Sequence, residues 1–388
     1  MTFFKKAGVL VFVTCCTIAF RPGGLSAQKI VGKNLAGRVL SAETNEPLQA
    51  ANVFIANSIL GAATDNAGAF VIRGVRMSSF ELVVSMIGYE IYKRKITMTG
   101  EELKPLLIRL KPKVLQGQEI VVTAKAMKEW KKQLKKFNKL FFSNTENAKG
   151  CKILNPEMLD FDTSKPRVFR ATAQAPLEIE NRALGYKLYY VLEQFEASKD
   201  FLVYAGVAKF EELEPESPRE AKKWQANRLY TYKGSMRHFL SELVRNYKIT
   251  GGSLDDNDLT FDKQPLNEAG FYAFLLKFLD PEIPEQRGDI VNTNRLLEPG
   301  DTEFERKLVF QNFLKVVYTR ELEEDGYLEY VKDVLRDPGQ QVSWIRLPYG
   351  SLSFDTNNYT FDPFKVETYG YWAWQRVADM LPAEYQAP

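Results

Sequence analysis

Gly37-Arg38-Val39, Asn45-Glu46-Pro47-Leu48-Gln49-Ala50-Ala51-Asn52-Val53, Thr64-Asp65-Asn66-Ala67-Gly68-Ala69-Phe70, and Phe80-Glu81-Leu82-Val83-Val84 running into Gly88-Tyr89 describe short strands broken by turns. Leu82, Val84 and Met86 alternate with Glu81, Val83 and Ser85, and Phe70 and Ile72 alternate with Val71 and Arg73. Period-two alternation sends one set to a core and the other to solvent or to a second sheet. Asp65-Asn66-Ala67-Gly68 is turn chemistry, because Asx side chains bond the local backbone and Gly accepts positive φ. Asn45-Glu46-Pro47 predicts a second turn, with Pro47, which has no amide donor, outside the ladder. A further strand is expected over Leu106–Leu110. Strands this short and this closely spaced predict an all-β sandwich over residues 34–124.

Gly37-x-Val39, Pro47-Leu48-x-x-Ala51-x-Val53, Thr64-Asp65-x-x-Gly68-x-Phe70 and Gly88-Tyr89 together resemble the carboxypeptidase-regulatory-like domain. This is a prealbumin-like sandwich found in many proteins of Gram-negative cell envelopes. The resemblance implies an accessory domain, not the catalytic part of a peptidase.

Outward from the sandwich, the first 27 residues read as a secretory signal peptide. Lys5-Lys6 precede an apolar run from Ala7 to Phe20, and Leu25-Ser26-Ala27 offers a small-residue cleavage site before Gln28. The run is shorter than the ~20 residues of a spanning helix. Cys15 and Cys16 lie within it and raise a lipoprotein reading, but Val13-Thr14-Cys15-Cys16 is a poor lipobox. Removing this segment takes away Lys5, Lys6 and Arg21 and no acid. The 52 Lys and Arg then fall to 49, equal to the 49 Asp and Glu, and the formal charge of +3 becomes zero. A neutral chain has no general electrostatic reason to bind nucleic acid. Of the three cysteines only Cys151 would remain, which leaves no internal disulfide and is read as a buried, inert thiol.

Glu119-Ile120-Val121-Val122-Thr123-Ala124 looks like the energy-coupling box that follows this sandwich in outer-membrane receptors. The chain has no room for the large barrel of such a receptor, so the segment is read as a final edge strand. From Ala126 the period changes. Met127, Trp130, Leu134, Phe137 and Phe141 fall at spacings of three and four, which is a helix with one apolar stripe. Lys125, Lys128, Lys131, Lys132, Lys135, Lys136 and Lys139 cover its other side. This basic helix near Trp130 either makes peripheral contact with an anionic membrane or packs on its own domain with a solvated lysine face. The acidic runs Glu211–Glu214 and Glu321–Asp325 either face it or are solvated.

Residues 126–388 read as a strand-rich α+β domain. Strands are expected over 168–173, 185–192, 201–206, 308–318, 344–347 and 352–354, with 271–278 left as helix or strand. Helices are expected near Met127, after the N-cap Ser235, and over Tyr371–Met380. Cys151-x-Ile153-Leu154-Asn155-Pro156, Asn181-x-x-Leu184-Gly185-Tyr186, Arg228-x-x-x-Tyr232-x-Gly234-Ser235-x-x-His238-Phe239 and Gly370-Tyr371-Trp372 with Leu381-Pro382-x-x-Tyr385 are similar to uncharacterised envelope proteins carrying the same sandwich. That similarity implies a domain arrangement and a compartment, and no activity.

His238 is the only histidine. A zinc carboxypeptidase needs two His and a Glu on one metal, so that chemistry is excluded and no metal or cofactor is expected. Asp255-Asp256-Asn257-Asp258 lacks the Gly and closing Glu of a calcium loop and is read as solvated. No phosphate loop or nucleophile elbow is present. Arg228, Tyr232, Ser235 and His238 form the candidate binding cluster: a helix starting at Ser235 puts a hydroxyl and an imidazole in its first turn. The plainer alternative is a capping Ser and a His bonded to the neighbouring turn. Tyr371, Trp372 and Trp374 offer a sugar-stacking face or a piece of core. The expectation is therefore a non-enzymatic binding or assembly protein of the periplasm or outer membrane, with an envelope protein or glycan as its partner. The alternative is a carboxylate-dependent hydrolase or carbohydrate-acting protein, which two carboxylates in one cleft would favour.

Overall fold

A computed structural model describes residues 32–388 apart from 78, 98–103, 114–123, 163, 165–166, 251–265, 280–287, 303–304 and 356–362. The signal segment, residues 119–123 of the strand expected over Glu119–Ala124 and the Asp255–Asp258 loop lie outside the described residues, and Ala124 opens a helix.

Seven strands build the first unit: β1 (Lys33–Ser41), β2 (Asn52–Ile55), β3 (Gly61–Ala63), β4 (Ala69–Val75), β5 (Ser79–Ser85), β6 (Tyr92–Thr97) and β7 (Leu106–Leu110). They form two sheets, β4-β1-β7 and β3-β2-β5-β6. β7 lies parallel to β1, while β4 runs antiparallel on its other side. The inward residues of both sheets, among them Leu35, Val39, Ile72, Leu82 and Val84, make one core. The motif residues have local causes. Asp65 Oδ1 accepts from the amides of Ala67 and Ala69 at 2.9 and 2.8 Å, and Gly68 sits at φ +71° with the Val39 carbonyl where a Cβ would be. At Gly37 a Cβ would meet the Leu106 carbonyl and the Phe70 ring, so the strand pairing there requires glycine.

The rest of the chain is strand-rich α+β, as expected, and its apolar residues gather in two main cores. The first belongs to α1 (Ala124–Phe142), β8 (Cys151–Ile153), β9 (Leu159–Asp162), β10 (Phe169–Ala173), β11 (Leu177–Asn181), β12 (Tyr186–Ala197) and β13 (Leu202–Glu212). The sheet order is β8-β11-β12-β10-β9, with β13 on the other edge of β12. The apolar stripe of α1 packs on this sheet. Phe137 and Phe141 stack at 4.7 Å, and Phe137 meets Phe195 at 4.7 Å. α2 (Pro218–Tyr232) follows, capped by Ser217 with Pro218 in its first turn.

The second core belongs to α3 (Met236–Thr250), β14 (Phe271–Leu276), β15 (Asp289–Ile290), β16 (Leu297–Pro299), β17 (Glu305–Val309), β18 (Phe313–Leu322), α4 (Asp325–Val331), β19 (Gln340–Arg346), β20 (Ser351–Asp355), β21 (Glu367–Gly370) and α5 (Tyr371–Trp374). These strands make the sheets β15-β14-β18-β19-β21 and β16-β17-β20. Phe239, Leu240, Leu243 and Val244 of α3 are buried against them.

The sandwich is docked on this body. Phe54 and Val83, on the outer face of the second sheet, pack against Val191 and Val207 of β12 and β13. Four apolar side chains leave water there, at about 1.5–3 kcal/mol each. The Asn57 amide donates to the Ala208 carbonyl at 2.7 Å, and the Phe210 amide to the Ser58 carbonyl at 2.8 Å. Residues 382–385 complete the joint. Ala383 is buried in the sandwich core, Glu384 accepts from Ser58 Oγ, and Arg237 donates to the carbonyls of Pro382, Ala383 and Tyr385 at 2.8, 2.6 and 2.7 Å.

Several local expectations need correction. Residues 308–318 are two strands, not one, because Asn312 at φ 63° turns the chain between β17 and β18. The stretch 271–278 resolves as a strand. α2 and α4 were not expected at all. Ser217-Pro218-x-Glu220 is a helix start, but the low apolar content of α2 hides its period. Of the two fates expected for the outward residues of β5, solvent or a second sheet, Val83 takes the second and packs on β12 and β13, so β5 is largely buried on both faces.

Candidate functional site

The residues singled out around residue 230 are placed by the end of α2 and the start of α3. Gly234 at φ +70° turns the chain between them. Ser235 Oγ accepts from the His238 amide at 3.2 Å and donates to the Tyr232 carbonyl at 2.6 Å, which is the capping geometry expected of it. His238 Nδ1 accepts from the Gly234 amide at 3.2 Å. Its ring lies 5.0 Å from Tyr232, 4.9 Å from Phe271 and 5.8 Å from Tyr318. Burial among these rings pushes the imidazole down to about 4, helped by Lys233 and Arg245, so the ring is neutral at physiological pH. Tyr232 Oη bonds Ser241 Oγ at 3.1 Å.

Tyr232, Ser235 and His238 are thus brought together. Arg228, a turn earlier, points elsewhere. It donates to the carbonyls of Leu184 and Gly185, pairs with Glu212 at 3.0 Å and stacks on the Tyr186 ring. It holds the turn before β12 onto α2 and does not face His238 through any of these bonds. Each of the four side chains spends polar atoms on neighbours within the fold.

The aromatic run is core, not a sugar platform. Tyr371, Trp372 and Trp374 are all buried. Trp372 Nε1 donates to the Gly234 carbonyl at 2.7 Å and Trp374 Nε1 to Asn144 Oδ1 at 2.6 Å. Cys151 is half-buried, with its thiol pushed up by burial and by Asp379, and Sγ lies 3.4 Å from the Asn147 carbonyl.

A polar network that no sequence motif announces lies beside α5. Asp379 accepts from Asn147 Nδ2 at 2.8 Å, and the same amide reaches Thr231 Oγ1 at 2.8 Å. Burial pushes the Asp379 carboxyl up to about 7, with Asn147 opposing and Glu324 adding to the rise. Glu324 is itself raised by burial and accepts from Tyr371 Oη at 3.3 Å. Glu321 is pushed up to about 7, again mainly by burial. The run Glu321–Asp325 is therefore not simply solvated. Glu323 is buried against Arg336 at 2.7 Å, and Glu212 of the other acidic run pairs with Arg228. These partners are not the lysines of α1. Asp379 and Glu324 are 55 positions apart, and no sequence pattern joins them; only the fold does.

A concavity open to solvent lies at the joint between sandwich and body. It is a groove of about 290 Å³ lined by Met86, Ile87, Tyr89 and Ile91 on one side and by Ala173–Pro176, Val191 and Leu192 on the other, with Glu90 and Lys113 as its charges. Ile87 is 79% exposed. Among the described residues no three or more His, Cys, Asp or Glu are placed to share a metal ion, and no helix is long and apolar enough to cross a membrane.

Residues 35–122 match the family model of the CarboxypepD_reg-like domain, in agreement with the motifs. No curated protein matches the chain. Among solved structures, a membrane-associated protein of unknown function from Bacteroides fragilis aligns with 42% of this chain and 66% of its own, at 16% identity and a TM-score of 0.18. A 9R-lipoxygenase from Cyanothece aligns with 62% of this chain and 52% of its own, at 12% identity and a TM-score of 0.15. Likeness this slight carries no argument.

Proposed function

We propose that this is a non-enzymatic binding or assembly protein of the cell envelope, exported by its N-terminal segment, in which the sandwich is an accessory to a larger body. The observation that carries this reading is the contrast between the two candidate regions. The polar atoms around Ser235 and His238 are turned inward to cap and fasten the α2–α3 turn. The groove at the joint between sandwich and body is largely apolar and holds one carboxylate, Glu90, whereas glycoside hydrolysis by carboxylates takes a pair. Envelope proteins or glycans are the partners this reading expects, with the groove supplying apolar contacts to them.

The alternative of carboxylate-dependent hydrolysis has one observation in its favour. Asp379 and Glu324 are half-buried carboxyls with raised pKa values, and the charge of Glu324 acts on Asp379, as an acid–base site requires. The deciding experiment offers the purified protein peptide, ester and glycan substrates, alongside His238→Gln and Asp379→Asn. No turnover is expected. Hydrolysis that either substitution abolished without lowering the melting temperature would refute the binding reading. Export is checked separately by N-terminal sequencing of the protein from envelope fractions, where a start near Gln28 is expected and an intact Met1 would remove the claim.

A further inference from the structure

We infer that the exposed face of α1 docks the protein electrostatically onto an anionic lipid surface. At 100° per residue the seven lysines of Ala124–Phe142 fall within an arc of about 140°, opposite Phe137 and Phe141. The arc runs from Lys125 to Lys139, about 21 Å along the axis. All seven are exposed. The helix carries one acid, Glu129, at the margin of the stripe, where it lies 3.7 Å from Lys132.

The mode of contact follows from the packing. An interfacial helix normally buries its apolar face in the bilayer. Here that face is already spent: Phe137 and Phe141 are fully enclosed by the sheet beneath, and Trp130 Nε1 is bonded to the Leu159 carbonyl at 3.1 Å. What remains is a row of ammonium groups on a helix that cannot roll, with Lys136 at its margin drawn over the Phe169 ring at 4.4 Å. Such a row complements a sheet of headgroup charge, where each lysine near the surface strengthens binding about fivefold.

A second surface feature stands beside the helix end. Asn144, two residues beyond α1, donates to the Gly326 carbonyl at 2.9 Å and fastens α4 there. From α4 projects an apolar knob, with Val331, Val334 and Leu335 at 40%, 62% and 98% exposure. Arg336 pins its base through Glu323 and Asp333. Glu329 and Asp333 flank the knob, so its contribution is apolar contact and not charge.

The inference does not depend on the compartment or on the binding reading above, and its test uses lipids alone. The purified protein is sedimented with vesicles of phosphatidylcholine, or of equal parts phosphatidylcholine and phosphatidylglycerol, at about 50 and 300 mM salt. Binding is expected to the mixed vesicles only, and to weaken at least tenfold at the higher salt. Lys128→Gln/Lys131→Gln/Lys132→Gln/Lys135→Gln should lose a further tenfold or more while keeping its circular dichroism, since Gln is nearly as good a helix former as Lys. The single substitution Lys131→Glu should weaken binding severalfold, and Leu335→Ser by a smaller factor. Absence of binding at low salt, equal binding to both vesicles, or unchanged binding by the lysine variants would each overturn the inference. So would retention on heparin without any binding to vesicles, which would assign the stripe to a soluble polyanion.

Discussion

His238→Gln separates packing from protonation at the α2–α3 turn. In the fold the imidazole titrates at about 4 instead of 6.5. The unfolded chain therefore takes up a proton near pH 6.5, and the folded chain only near pH 4. Stability from this group is fully present above pH 6.5 and is lost as pH falls towards 4. Moving a titration midpoint by one pH unit is worth about 1.4 kcal/mol. The complete loss is thus about 3 kcal/mol, and about 2 kcal/mol of it has gone by about pH 4.5. Gln cannot titrate. At neutral pH it keeps an acceptor for the Gly234 amide but loses ring contacts with Tyr232, Phe271 and Tyr318, at about 1–2 kcal/mol. The variant should therefore be less stable than the parent at pH 7 and equal or better at about pH 4.5. Urea titrations at the two pH values, followed by the fluorescence of Trp372 and its neighbours, measure the difference. Parallel stability curves for the two proteins would refute a buried, neutral His238.

Asp379 has the opposite slope. Its carboxyl keeps a proton up to about pH 7 in the fold and loses it near pH 4 when unfolded, so stability falls as pH rises between those values. Asp379→Asn should gain on the parent by a few kcal/mol between about pH 5 and 8, and a constant difference in melting temperature across that range would count against a carboxyl protonated in the fold. Arg237→Ala removes the donor to three backbone carbonyls at the joint and should cost about 2–3 kcal/mol. Limited proteolysis should then cut near residues 382–385, and an uncut tail would show that Ala383 and Glu384 hold it without Arg237. Val207→Asp places a carboxylate against Phe54 and Val83 and should release the sandwich from the body. Small-angle scattering should report a larger radius of gyration, with an unchanged radius marking the polar bonds of the joint, those of Asn57 and Ser58 together with Lys95–Glu305 and Lys93–Glu193, as sufficient.

The sandwich was legible because its information is local. Asp65 to Gly68 spells a turn whose hydrogen bonds run within five residues, and Phe70 and Ile72 declare a face by alternation. The helix at Ala124 was legible for the same reason, as was the cap at Ser235. What the sequence hid was non-local. Val83 looks like any outward strand residue until Val191 and Val207 are set against it. The two strands either side of Asn312 merge on paper, since Gln311-Asn312, without Gly or Pro, interrupts the apolar run for only two residues. At the candidate cluster, the Ser235–His238 pairing could be read from spacing, but the diversion of Arg228 to Gly185 and Glu212 could not. Asp379 and Glu324 were invisible for a plainer reason. A carboxylate's environment is set by what buries it, and the strand and helix that do so come from distant parts of the chain.

The strap formed by residues 382–385 also bears on the order in which the molecule can be completed. A chain delivered from its N-terminus presents the sandwich first, then the partner strands β12 and β13, and much later the residues that lock the two together. Until Ala383 and Glu384 arrive, the sandwich has its own core and is held by Phe54, Val83, the backbone bonds of Asn57 and Ser58, and ion pairs such as Lys95–Glu305 at 2.6 Å and Lys93–Glu193 at 2.8 Å. The same dependence gives a partly made or clipped molecule a recognisable defect. Its sandwich would be folded but loosely held, and its Arg237 guanidinium would lack the three carbonyls it was built to grip. Loss of a few late residues would thus loosen a joint near the start of the chain without unfolding either side of it.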